Sequence, residues 1–204
     1  MKKTSKHNLS PLYSKKLSND RGVFKNFPIK EYFRYNYPNK IETFKEIEYL
    51  KSLPTNKQIH FVLRADETVK YFESELARRG LKVDLQNDEK LKSLLKSVAP
   101  FIIILKYHFD RPRPDELQDI NYAWLASAQS PAYPSGHSTQ ARFMALYLAD
   151  KYPKYKKEIL KIGENVGFSR LMARIHYPSD HRLGKKLANH LFAHYQKYTP
   201  IKER

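Results

Sequence analysis

The chain has 204 residues, with 38 Lys and Arg against 21 Asp and Glu, a net charge of +17, and no cysteine. That length suits one domain with an ordinary hydrophobic core, and the missing cysteine excludes disulfides, thiolate metal sites and cysteine nucleophiles. The charge favours an anionic partner, whether nucleic acid, acidic lipid headgroups or phosphorylated small molecules, and does not choose among them.

From the N-terminus, Met1-Lys2-Lys3-Thr4-Ser5-Lys6 is basic, but no apolar run follows that would make it a secretory signal. Residues 1–39 read as a basic, partly irregular arm in which aromatics alternate with charge, as in Glu31-Tyr32-Phe33-Arg34-Tyr35. Such interleaving occurs in binders of single-stranded nucleic acid. No recognisable module accompanies it, however, and the lysines are spread along the chain, which argues against nucleic acid as the partner.

Residues 40–204 read as one helical domain. Ile41, Phe44, Ile47 and Leu50 recur at helical spacing before Pro54, and Ala65, Val69, Phe72 and Leu76 share a second helical face that Gly80 ends. A third helix starts near Asp88 and runs through Leu91, Leu94, Leu95 and Val98 into Phe101–Leu105, which is apolar all round and therefore a buried element. Residues 110–134 carry several prolines and read as a long irregular connection of the kind that carries function. A fourth helix covers His137–Lys151. A fifth covers Tyr155–Ile175, with Gly163 and Gly167 four apart where another helix can approach. A sixth covers Ser179–Tyr198. The expectation is an all-α, single-domain helical bundle with the active site between core helices. The longest apolar stretch, Val98–Leu105, contains Pro100 and is too short to span a bilayer. Without such a segment or a signal, the expected location is cytoplasmic, with a soluble protein and no transmembrane segment.

Three short stretches carry chemistry. Lys106 closes the buried helix and Arg113 follows in a proline-stiffened loop. A lysine there can simply reach for water, or the two can bring a point charge and a planar fork to one anion. Arg111 lies in the same run. Pro134-Ser135-Gly136-His137 combines a capping serine with a glycine that lets backbone approach a ligand. Helix amides at such a start attract anions, while the plain alternative is an ordinary capped helix. Ser169-Arg170 precedes His176-Tyr177-Pro178-Ser179-Asp180. Pro178 ends a helix, so Asp180 falls within reach of the His176 imidazole and can leave its other nitrogen free to attack or accept a proton. The plain alternative is a surface ion pair of little worth.

In this order, K-x6-R-P, P-S-G-H and S-R-x5-H-x3-D resemble the signature of the type 2 phosphatidic acid phosphatase and vanadium haloperoxidase superfamily, which includes class A bacterial acid phosphatases. All eleven signature positions match. The resemblance spans about residues 90–195, with the motifs within 106–180, and the six-residue spacing from Lys106 selects Arg113 over Arg111. It implies a phosphatase acting on a phosphate monoester or diphosphate through a phosphohistidine, without a metal or other cofactor, vanadate binding as a phosphate mimic. Lys106, Arg113, Ser135, Gly136 and Arg170 would bind the phosphoryl group, His176 would attack, Asp180 would orient it, and His137 would protonate the leaving group. The substrate would be a phosphorylated small molecule or a lipid headgroup. Two other readings stay open: a vanadate-dependent haloperoxidase, and a non-catalytic basic module that binds nucleic acid or a membrane surface. His108, His181, His190 and His194 read as surface or helix-face histidines, and Arg142 and Arg174 as solvating or ion-pairing groups.

Overall fold

The computed structural model describes residues 22–54, 59–118, 120 and 129–199. Among them the regular structure is helical throughout: α1 (Lys40–Ser52), α2 (Ile59–Asp66), α3 (Thr68–Ala77), α4 (Glu89–Phe109), α5 (Pro114–Leu117), α6 (Gly136–Lys151), α7 (Lys156–Met172) and α8 (Pro178–Tyr198). Short 3-10 turns cover Gly22–Phe24, Ile29–Arg34 and Pro153–Tyr155. The all-α expectation is met.

α6 is the central helix, and its main partners are α7 and α8. The approach to α7 is close because Gly163 has no side chain: a Cβ there would stand 2.7 Å from Ala145 Cβ and 3.0 Å from the Ala141 carbonyl oxygen. α4 closes another side and buries Leu91, Leu94, Val98, Phe101, Ile102, Leu105 and Lys106. It continues through Pro100 and stops at Asp110, whose left-handed backbone (φ 44°) turns the chain towards the Arg111-Pro112-Arg113 run.

Two expected elements differ. The face shared by Ala65, Val69, Phe72 and Leu76 predicts one helix, but the chain breaks at Glu67 into α2 and α3, which leaves Asp66 at a helix end. In α1 the buried stripe is Thr43, Glu46, Ile47 and Leu50, while Ile41 and Phe44 are exposed. The 3-4-7 spacing is helical, but two of its inward positions are polar because they meet a buried arginine. A reciprocal cap starts this helix: the Asn39 side chain accepts from the Glu42 amide at 3.0 Å, and the Glu42 carboxylate accepts from the Asn39 amide at 3.2 Å.

α7 ends at Met172, short of the expected Ile175. Arg174 takes a left-handed backbone (φ 54°), and its guanidinium donates to the carbonyls of Leu50, Lys51 and Ile120. Of the expected irregular connection, residues 114–117 form α5, and residues 119 and 121–128 lie outside the described residues. So do residues 1–21 of the basic arm. Within the described part of that arm Phe24, Phe27, Ile29 and Tyr32 join the core, while Phe33 and Tyr37 are exposed: Phe24 meets Phe101 and Phe143 edge-on at 5.9 Å, and the Tyr32 hydroxyl lies 2.7 Å from His190 Nδ1. Aromatic pairs of this geometry each add about 0.5–1.5 kcal/mol beyond their buried area.

Candidate active site

The end of α4 and the loop after it bring two cations together. Lys106 is buried and donates from Nζ to the Pro131 carbonyl. Arg113 donates from Nε to the Ser130 carbonyl at 2.8 Å and from Nη1 to the Ile175 carbonyl at 2.7 Å. Both border a cavity of about 190 Å³ whose wall also contains Gly136, His137, His176, Ser130 and Gln140, with Ala99, Ile102 and Ile103 of α4 on its apolar side. Burial, reinforced by the Arg113 charge, lowers the Lys106 pKa to about 7. The cavity wall is thus cationic, since Lys106 and Arg113 meet there with uncharged backbone carbonyls as their hydrogen-bond partners.

His176 follows the end of α7 and is nearly inaccessible. Its Nδ1 lies 3.1 Å from Asp180 Oδ2 across the Tyr177-Pro178 start of α8. An ionised carboxylate can only accept, so the proton belongs on Nδ1 and Nε2 keeps its lone pair. Burial holds the His176 pKa well below the ordinary histidine value, and the nearby Arg113 and Lys106 charges act in the same direction. Burial also pushes the Asp180 carboxyl up, against the pull of Arg111 and of the Tyr177 amide. Three donors, His176, the Tyr177 amide at 2.9 Å and Arg111 Nη1 at 2.6 Å, hold it as a carboxylate.

Ser135 caps α6, and its buried hydroxyl accepts from the Ser138 amide at 3.3 Å and faces the Ser138 hydroxyl at 2.9 Å. Arg170 is also fully buried. It donates to Ser169 Oγ at 2.9 Å, to Asp66 Oδ1 at 2.5 Å and to the Val62 carbonyl at 2.8 Å. Of the expected residues, Lys106, Arg113, Gly136, His137 and His176 border the cavity itself, while Ser135, Arg170 and Asp180 are fully buried and do not line it.

Sequence reasoning missed several supports. Asp66 accepts from Arg170 and lies 3.2 Å from His137 Nε2, joining two motifs through a residue in neither. The hydrogen bond from His137, with the Arg170 charge in support and burial opposing, lowers its pKa to about 2. Arg111 is not a cavity residue: it donates to Asp180 and to Ser179 Oγ at 2.6 Å and to Glu46 Oε2 at 3.0 Å, and it stacks 3.7 Å from the Tyr177 ring centroid. His181, read as a helix-face histidine, is buried between Ser138 and Glu164. Arg111 had a signal, its place beside Arg113. Asp66, an isolated acid far upstream of the motifs, had none.

Comparison with known proteins agrees with the motif reading. The family model described as "PAP2 superfamily" matches residues 92–195. The lipid A 1-phosphatase of Rhizobium etli is 31% identical over 81 residues, covering 38% of this chain and 35% of that protein. The lipid A 1-phosphatase of Rhizobium johnstonii is 33% identical over 81 residues, 38% of this chain and 33% of that protein. The chain therefore spans about a third of the length of these curated relatives. The crystal structure of a transmembrane PAP2-type phosphatidylglycerolphosphate phosphatase from Bacillus subtilis superposes with a TM-score of 0.55 at 18% identity, covering 86% of this chain and 96% of that one, and so shares the fold.

These comparisons overturn the expected cytoplasmic location. The matching fold belongs to a transmembrane protein, and the curated relatives are named for a lipid. The expectation rested on finding no spanning segment, and no helix among the described residues is long and apolar enough to cross a membrane. That observation concerns helix length and hydropathy and does not assign a compartment.

Proposed function

Because the chain belongs to the PAP2 superfamily, we propose that its cavity binds and hydrolyses a phosphate monoester or diphosphate through a covalent phosphohistidine. The observation that carries this reading is the convergence of Lys106, Arg113, His137 and His176 on one small cavity, with His176 Nδ1 held by Asp180.

Lys106, Arg113, the Gly136 amide and the Ser135 hydroxyl take the phosphoryl oxygens, and Arg170 supports them. Charge spreads over those oxygens as the phosphoryl group moves, so fixed donors carry much of the rate. His176 Nε2 attacks phosphorus as the bond to the leaving oxygen breaks, and Asp180 holds the Nδ1 proton and balances the new positive charge. His137 gives its proton to the leaving oxygen. It then takes one from the water that attacks phosphorus and returns His176 to its starting state. The cations neutralise the phosphate, so the reaction proceeds without a metal. The Ala99, Ile102 and Ile103 wall suits a leaving group with an apolar part. Together with the relatives' names, it is the reason to test lipid-borne phosphates before sugar phosphates and nucleotides.

The test is hydrolysis of p-nitrophenyl phosphate and of a short-chain phosphatidate by the purified chain in excess chelator. Turnover should survive chelation, be blocked by vanadate and vanish in His176→Ala while the variant stays folded. Near-normal turnover in that variant, or peroxide-driven bromination by vanadate-loaded protein in place of hydrolysis, would overturn the reading.

A further inference from the structure

Behind Ser135 runs a chain of polar groups longer than a helix cap requires. Ser138 Oγ lies 2.9 Å from Ser135 Oγ, His181 Nδ1 lies 2.9 Å from Ser138 Oγ, and Glu164 Oε1 lies 3.0 Å from His181 Nε2. Lys185 Nζ closes the outer end, 2.9 and 3.0 Å from the two Glu164 oxygens. Ser135, Ser138 and His181 are buried, while Glu164 and Lys185 are partly exposed. Space for the imidazole exists because residue 167 is glycine: a Cβ there would stand 2.3 Å from His181 Cε1 and 2.5 Å from its Nδ1.

We propose that Glu164, His181 and Ser138 form a relay that turns the Ser135 hydroxyl proton towards an oxyanion held in the cavity, an inference that rests on the phosphate reading of that cavity. They are positioning residues, acting on the anion only through Ser135. Hydrogen bonds, from His181 first and then Lys185, hold the Glu164 pKa down at about 2 against burial, so Glu164 is an acceptor and fixes a proton on His181 Nε2. The other ring nitrogen then decides the direction of the whole row. When Nδ1 carries no proton, Ser138 donates to it and Ser135 donates to Ser138, so the Ser135 proton is consumed within the row. When Nδ1 is protonated, it donates to Ser138 and Ser138 donates to Ser135, which leaves the Ser135 proton for the anion. Anion binding and the second arrangement of the row therefore favour one another, as linkage requires. The charged groups facing His181 are Glu164 of α7, Arg182 and Lys185 of its own helix, and Lys45 and Glu46 of α1, which share a shallow depression with it.

Sulfate is the probe, because its charge is constant between pH 5.5 and 8. Its affinity is measured by calorimetry for the wild type, Ser138→Ala, Glu164→Gln and His181→Asn, with melting temperatures to confirm folding. A hydrogen bond of about 1 kcal/mol corresponds to about fivefold in affinity. The wild type should therefore bind sulfate about fivefold more tightly than Ser138→Ala or Glu164→Gln at pH 5.5. Titration of Lys106 is common to all four proteins and cancels in that ratio. His181→Asn puts an amide nitrogen near the Nδ1 position, a fixed donor to Ser138, and should keep the tight affinity at both pH values. Wild-type affinities at both pH values in Ser138→Ala and Glu164→Gln would overturn the relay. No sulfate binding by the wild type would instead overturn the phosphate reading of the cavity, and the relay with it.

Discussion

Arg111 Nη1 lies 2.6 Å from Asp180 Oδ1, so the carboxylate paired with His176 is itself held by an arginine that does not border the cavity. Two residues later, Arg113 does border it. The Arg111-Pro112-Arg113 run sends one guanidinium into the protein and the next towards the site, and the two should fail differently. Arg111→Met strands Asp180 and Glu46 without their cation and should cost about 3–5 kcal/mol of stability, the usual penalty for breaking a buried pair. Arg113→Met should cost much less stability and lower kcat/KM by about 10²–10³, the scale of losing a fixed donor to a transition-state oxyanion. Denaturant melts alongside kinetics separate the two, and equal stability losses would contradict the division.

Asp66→Asn keeps the shape of the link between His137 and Arg170 and removes its charge. We expect kcat to fall about tenfold to a hundredfold, below most of the ~10²–10⁴ range of general acid catalysis because His137 itself stays in place. The loss should be larger for alkyl than for aryl leaving groups, because a poor leaving group needs the proton more. Since the folded pKa of Asp66 is lowered to about 2, its contribution to stability is complete above its ordinary value of 3.8 and is lost only as pH falls through about 2. The defect should therefore be constant from pH 5 to 8. A loss independent of the leaving group would confine Asp66 to holding Arg170.

Lys106 carries two opposite pH signatures. Free protein loses this charge as pH rises through about 7, so KM for a phosphate dianion should rise between pH 7 and 9. Stability runs the other way. The unfolded lysine binds its proton up to about 10.5 and the folded one only to about 7, so the burial penalty is full below pH 7 and fades as pH rises to 10.5. Lys106→Met should abolish activity, melt a few degrees above the wild type at pH 6 and lose that advantage by pH 10. A scan of melting temperature against pH for both proteins checks it.

Gly163→Val should cost about 1–3 kcal/mol, the scale of overpacking a filled interface, because α6 and α7 touch where that side chain would go. A drop in denaturant midpoint at unchanged slope would show it.

The Gly163 contact illustrates what a sequence makes legible. Small residues at helical spacing announced an approach between helices, and the approach is there. Helix faces built from Leu, Ile and Val, as in α4 and α8, were readable for the same reason: burial of apolar area follows period alone. α1 was readable as a helix but not in its rotation, since Thr43 and Glu46 turn inward to satisfy Arg111, and polar burial depends on a partner 65 or more residues away. The motif residues were legible because each short stretch has local spacing that places its members together. Asp66 and His181 were not, because their roles exist only through residues on other helices, at separations of 104 from Arg170 and 43 from Ser138.

Three of the supports just described, Thr43, Glu46 and Asp66, lie upstream of residue 92, where the match to the family model begins. A chain cut before α4 would keep every signature residue and lose the acids that neutralise Arg111 and Arg170 from behind. Such a fragment would carry a complete phosphate signature, with Arg111 left to Asp180 alone and Arg170 without Asp66. The eleven signature positions therefore name what meets the phosphate, and the smallest working unit of this protein extends at least as far back as Asn39, where the cap of α1 begins.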